Sequence, residues 1–237
     1  MIGRRKIRFD GDSEWVSISD LMSGLMVIFL FFAVSYMYDV QQNQKRIKRI
    51  AVAYKDLQTD LYEDLLREFQ EDLLRWRATL DRETLPIRFG EPDVLFQVGS
   101  ADVSLRFKDI LSDFFPRYIR IIALDEYRDN IEEIRIEGHT SSEWHFRVTS
   151  DEAYFLNMKL SQDRTRSVLH YCLDLLGERK GKIWVRDHIT ANGLSASQPV
   201  LTSAGQEDFV QSRRVEFRTR TNAEKKVVEI IQEMEGL

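Results

Sequence analysis

The chain has 237 residues, 43% hydrophobic and 31% charged, which suffices for one ordinary domain with appendages or for two small domains. A net charge of −5 at pH 7 excludes the broad basic field of a nucleic-acid binder. A single cysteine, Cys172, excludes an internal disulfide.

In chain order, residues 1–15 are polar and carry Arg4, Arg5, Lys6 and Arg8. Residues 21–38 (LMSGLMVIFLFFAVSYMY) then run without a charge, long enough for a membrane helix. Val16 and Ile18 extend the apolar stretch backwards across Asp20, so the predicted span covers residues 16–39. The run is too long for a cleaved signal peptide and no small-x-small site follows it. Basic residues stand on both sides, Lys45, Arg46, Lys48 and Arg49 after the span, so the charge rule leaves the orientation open.

Residues 41–82 read as one long helix. Ile47, Ile50, Tyr54, Leu57, Leu61, Leu65, Phe69, Leu73, Trp76 and Leu80 recur at threes and fours and form one stripe opposite a charged face. The pattern predicts a linker over 40–85 that pairs in a homodimeric coiled coil and reaches about 60 Å. The alternative is a helix packed back on its own domain. Pro86 is the expected helix end.

Residues 86–237 read as one compact domain of alternating strands and helices. Strands are expected at 94–98, 131–137, 182–191 and 214–219, and helices at 104–124, 153–176 and 223–235. This composition predicts an α+β sandwich with helices on a sheet face.

Asp20 is the sharpest chemical signal in the apolar part. A carboxylate within a membrane span costs about 2.5–3.5 kcal/mol on insertion scales, so it faces a partner helix or a water path and can carry an ion. The alternative is an N-cap at the membrane surface, a role that Ser17 and Ser19 could share. His139 and His145 have no Cys, His or Glu at metal-ligand spacing, so no metal site is expected. Nothing resembles a nucleophile elbow, an acid–base pair or a phosphate loop, so no enzyme and no cofactor is expected.

Two stretches resemble known families. Residues 15–32 (WVSISDLMSGLMVIFLFF) are similar to the membrane signature of the flagellar stator B subunit, MotB, with Asp20, Met22, Ser23, Leu25 and Met26 at the matching places. Ser17-Ile18-Ser19 replaces the usual Pro-Tyr-Ala. Residues 90–220 resemble the OmpA-like peptidoglycan-binding domain in four ordered motifs. Glu137-Gly138-His139-Thr140 matches its GHTD element, and residues 157–164 (NMKLSQDR) match its N-x-x-L-S-x-x-R helix. Residues 193–199 (GLSASQP) match its G-x-G-x-x-x-P turn with Ser195 at the second glycine, and residues 213–216 (RRVE) its N-R-R-V-E strand with Ser212 for Asn.

The resemblance implies a single transmembrane helix and long coiled-coil helix followed by an α+β OmpA-like peptidoglycan-binding domain, helices packed on a mixed β-sheet. It implies a wall-binding site of His139, Thr140, Ser141, Leu156, Asn157, Leu160 and Arg164, with Arg164 holding a stem-peptide carboxylate. Ser141 stands where the family has an acidic residue and Leu156 where it has Tyr, with Glu143 and with Tyr154 or Phe155 as candidate replacements. It also implies a B subunit of an ion-driven stator, with Asp20 carrying an ion, a proton in preference to sodium with both left open, and a dimer of this chain inside a ring of MotA-like subunits. Residues 1–15 would then be cytoplasmic and 40–237 periplasmic. The details are most similar to the stator B subunits of antiphage defence; a flagellar stator and a passive wall tether are the rival readings.

Overall fold

The structure is a computed structural model that describes residues 11–90, 92–144, 147–177 and 181–222 and positions 225, 228 and 232. Two compact units emerge among the described residues, one reaching Val52 and one spanning Ala53–Val228. Helix α1 (Gly11–Trp76) contributes to both.

Within the first unit, residues 21–38 make the helix apolar all round. Leu21, Leu25, Phe29, Phe32 and Tyr36 are exposed, and the 18-residue window that could cross a membrane has no residue buried within the protein. A surface of this kind is stable only in a nonpolar surrounding or against partner helices. Asp20 lies in the interior of α1, well past Gly11. The peptide N–H groups of the following turn are therefore already taken up by the helix, and Asp20 is not its N-cap. Ser23 Oγ donates back to the Ser19 carbonyl at 2.8 Å, spending its hydroxyl within the helix.

The second unit is built on a five-stranded sheet of β1 (Ala78–Leu80), β2 (Ile87–Phe89), β3 (Ile131–His139), β4 (Ile189–Gly193) and β5 (Arg214–Thr221). Their order is β1-β2-β5-β3-β4, with β3–β4 parallel and the other pairs antiparallel. Helices α2 (Pro92–Leu95), α3 (Leu105–Ile122), α4 (Asp125–Arg128), α5 (Ser150–Leu175), α6 (Gly181–His188) and α7 (Phe209–Ser212) complete it. The expected α+β domain with helices on a mixed sheet is thus observed.

Local chemistry fixes the two main helices. Ser104 Oγ accepts from the Phe107 N–H and starts α3. Thr149 and Glu152 form a capping box at the start of α5. One sheet face is apolar, with Ile134, Ile136, Val215 and Phe217 buried beneath the helices. Two glycines let α5 approach that face. A Cβ at Gly138 would stand 2.5 Å from Thr165 Cγ2, and one at Gly193 would stand 2.3 Å from the Gln162 backbone nitrogen.

The opposite sheet face alternates arginine and glutamate. Arg135 lies across from Arg218 and Glu137 across from Glu216, pairs that would repel if they bonded straight across. The side chains pair along and between the strands instead. Arg218 Nε reaches Glu137 at 3.1 Å, Arg135 Nε reaches Glu133 at 2.6 Å, and Glu216 takes Arg88 at 2.8 Å and Arg214 at 2.6 Å.

Several expectations need correction. The apolar stripe is not one coiled-coil seam. Leu61, Leu65 and Phe69 are fully buried in the domain core, and Leu73 and Trp76 nearly so. Phe69 and Trp76 both pack on Phe114 of α3, at 5.3 and 6.0 Å between ring centroids. The domain therefore begins near Ala53 rather than at residue 86.

The helix also stops at Trp76, not at Pro86, because Arg77 adopts a left-handed φ of 52° and turns the chain into β1. Leu80 continues the spacing but sits on that strand, in register with Ile87 of β2. The strand expected at 94–98 is the short helix α2 followed by a bridge from Phe96 to Val103. Most of the strand expected at 182–191 is helix α6. Its Ile183/Val185 alternation resembles a strand, yet Val185 is buried while Ile183 is 71% exposed. The helix expected at 223–235 lies largely outside the described residues.

Candidate functional site

Residues from three of the four ordered motifs meet at one cavity of about 450 Å³. Thr140 and Ser141 reach it from the end of β3, Asn157, Leu160 and Arg164 from α5, and Arg213 from the residue before β5. Their spacing on α5 explains the grouping: 157, 160 and 164 fall on one helix face at steps of three and four.

The loop after β4 holds this arrangement in place. Leu194 N–H donates to the Gly138 carbonyl at 2.8 Å and Thr140 N–H to the Ser195 carbonyl at 2.9 Å. Ser195 has a left-handed φ of 53°, a conformation that favours glycine. Two bonds to α5 hold it there: its N–H donates to Ser161 Oγ at 3.1 Å and its Oγ to the Tyr154 carbonyl at 2.9 Å. The serine at the second glycine of the turn motif therefore ties β3, the turn and α5 together.

Arg164 is held by carbonyls and an aromatic ring. Its Nε donates to the Ser100 carbonyl at 2.9 Å and its terminal nitrogen to that of Gln97 at 3.4 Å, and its guanidinium lies 4.7 Å from the Phe96 ring centroid. Among the described residues no carboxylate pairs with it. Burial, and secondarily the charge of Arg213, lowers its pKa to about 10. It remains charged at neutral pH and can take a carboxylate from a ligand.

Arg213 donates to Ser141 Oγ at 3.4 Å, and Asn157 Nδ2 to the Glu143 carbonyl at 3.2 Å. Thr140 Oγ1 is buried and unpartnered among the described residues. Glu143 and Trp144 complete the rim, and the Glu143 side chain is exposed.

His139 and Leu156 are not part of the lining. Leu156 is 37% exposed on α5, and the cavity is lined by its neighbour Asn157 instead. His139 is buried beneath the site, and among the described residues neither ring nitrogen is hydrogen-bonded. Burial first, and Arg214 next, lowers its pKa to about 4, so it is neutral at pH 7. Polar atoms of Glu137, His139 and Glu216 lie within 4.8 Å of one another, a spacing a metal ion could use. The carboxylates are instead held by Arg88, Arg214 and Arg218, whose charges oppose a cation. Arg213, Phe96 and Trp144 escaped the sequence reading. For Arg213 the signal was the Arg213-Arg214 pair, whose neighbours on an extended backbone point to opposite sides.

No family model matches the chain. A solved MotB-like protein from Desulfovibrio vulgaris has the same fold, with a TM-score of 0.50 and 22% identity, covering 73% of this chain and 94% of that one. The domain thus has the fold of that MotB-like protein and, among the described residues, follows one long apolar helix. The Zorya protein ZorB of Escherichia coli strain ATCC 8739 is 47% identical over 234 residues, 98% of this chain and 99% of the relative. A second Zorya protein ZorB, from Escherichia coli O139:H28, is 26% identical over 91% of this chain and 84% of its own length. The chain belongs to the ZorB family.

Proposed function

We propose that the protein is the B subunit of an ion-driven membrane stator that is anchored to peptidoglycan and acts in antiphage defence. The near full-length identity to a Zorya protein ZorB carries this reading, because it spans the apolar helix and the domain together. Residues 16–39 cross the inner membrane once, with the N-terminus cytoplasmic and the domain periplasmic. The cavity around Arg164 holds a stem peptide and fixes the domain to the wall.

Two copies place their Asp20 carboxylates within a ring of MotA-like subunits. Protons move through Asp20 by binding and release, and each charge crossing 100 mV yields about 2.3 kcal/mol to drive a step of the ring. Wall anchoring gives the ring a fixed support. No catalytic step is invoked. The interior position of Asp20 in α1 favours a carrier over a helix cap.

Asp20→Asn tests this. The substitution keeps size and removes a charge from the membrane, so protein level and wall binding stay unchanged. Plaque formation on cells carrying the complete system should rise to that of unprotected cells. Full protection at normal protein level would instead favour a passive tether. Loss of motility rather than of protection would favour the flagellar reading.

A further inference from the structure

Among the described residues the cavity is lined by two guanidiniums, and the one carboxylate at its rim, Glu143, is exposed. Arg164 comes from α5 and Arg213 from the approach to β5, and Ser141, which accepts from Arg213, offers no charge to neutralise it. Neither arginine has an ion-pair partner among the described residues. The contrast with the far sheet face is direct, since there Arg88, Arg135, Arg214 and Arg218 all have carboxylates within 3.1 Å. A cavity whose two guanidiniums are unneutralised is complementary to negative charge. The buried hydroxyl of Thr140 lacks a partner and lies in the same lining. Buried hydroxyls normally have one, so this one is available to a ligand oxygen. A zwitterionic ligand end would bring an ammonium beside the guanidiniums with no buried carboxylate to receive it.

Resting on the wall-binding reading above, we infer that Arg213 acts with Arg164 as a second carboxylate-binding group, so that the cavity selects a stem-peptide end presenting two carboxylates without requiring its ammonium. Arg213 is then a specificity-determining residue, and Ser141 orients its guanidinium.

The test uses the full chain in detergent micelles. The probe is the stem tripeptide ending in diaminopimelate, its N-terminal amine acetylated, prepared in three forms: unmodified, acetylated on the side-chain amine, and amidated on the side-chain carboxylate. Titration calorimetry should show the amine-acetylated form binding within about twofold of the unmodified one or tighter. The amidated form should bind roughly tenfold more weakly, the scale of one charge-assisted hydrogen bond. Arg213→Gln should weaken the first two forms about tenfold and abolish discrimination against the amidated form, while Arg213→Lys restores part of it. Arg213 is half-exposed, so these variants should keep the wild-type circular dichroism.

A tenfold loss on acetylating the amine would overturn the inference. So would wild-type behaviour of Arg213→Gln when Arg164→Ala abolishes binding, and either result would leave wall binding itself intact. Failure of the wild-type protein to sediment with purified sacculi would overturn both readings.

Discussion

His139 shows how a motif residue can matter without touching a ligand. It stands in the sheet face that carries the arginine–glutamate network, buried and with neither nitrogen partnered among the described residues. Protonating it there would place a cation among Arg214, Arg218 and Arg88. Its folded pKa, about 4, lies below the ordinary 6.5, so between these values the unfolded chain binds more protons. The stability it contributes is therefore complete above pH 6.5 and is lost as pH falls towards 4. Glu216 behaves alike at lower pH: burial opposes its charge, but Arg214 and Arg88 hold its pKa near 2, and that contribution fades below pH 4.5. Denaturant midpoints followed by tryptophan fluorescence should fall between pH 7 and 4.5. In His139→Leu most of that fall should be absent, and an unchanged slope would remove His139 as its cause.

At the scale of elements, the contact between α5 and the β3–β4 edge decides whether the site exists. Gly193 permits it, because any Cβ there meets the Gln162 backbone rather than a side chain that can turn away. Gly193→Ala should push α5 off the sheet and destabilise the domain by about 1–3 kcal/mol, the usual range for overpacking. Since α5 carries Asn157, Leu160 and Arg164, sedimentation with sacculi should weaken as well. A variant with both properties of the wild type would contradict the close approach.

Helix α1 supplies a second test at this scale. Leu65 is fully buried in its own domain, whereas Ile47 and Ile50 belong to the unit that ends at Val52. If two chains pair along this helix, cysteine at Ile47 or Ile50 should crosslink to its twin in membranes. Cysteine at Leu65 should not, and should cost the domain about 2–5 kcal/mol as a large-to-small change. Crosslinking at Leu65 with none at Ile47 or Ile50 would restore the longer seam. Arg117 adds to the hold of α3 on this helix: it bonds Glu68 and Asp72 at 2.7 Å each and lies 4.8 Å from the Phe69 ring centroid.

For the whole molecule the open property is direction. Basic residues flank the apolar helix on both sides, so charge does not orient it. A wall-binding cavity must face the periplasm to meet its ligand. Alkaline phosphatase fused after residue 237 should therefore be active, and a cytoplasmic reporter at the same place silent. The opposite pattern would separate the domain from the wall altogether.

The apolar helix, the position of Asp20 within it and the ordered motifs follow from local patterning, because an uncharged run and residues at helical spacing are local properties. Arg164, Asn157 and Leu160 were legible for that reason, one helix face being fixed by chain geometry alone. The fate of the stripe from Leu61 to Trp76 depended on long-range packing. A coiled-coil partner and the domain's own core impose the same spacing, and the difference lies in Phe114 and Phe89, which are distant in sequence. The left-handed turn at Arg77 and the hairpin after it were hidden likewise, since nothing local to Trp76 marks the end of the helix. The replacement of an acidic residue by Ser141 was legible in the motif, but the place of Arg213 beside it needed the fold. Arg213 joins the site through the meeting of β3, α5 and β5, and charge balance in a cavity depends on which chain segments meet there.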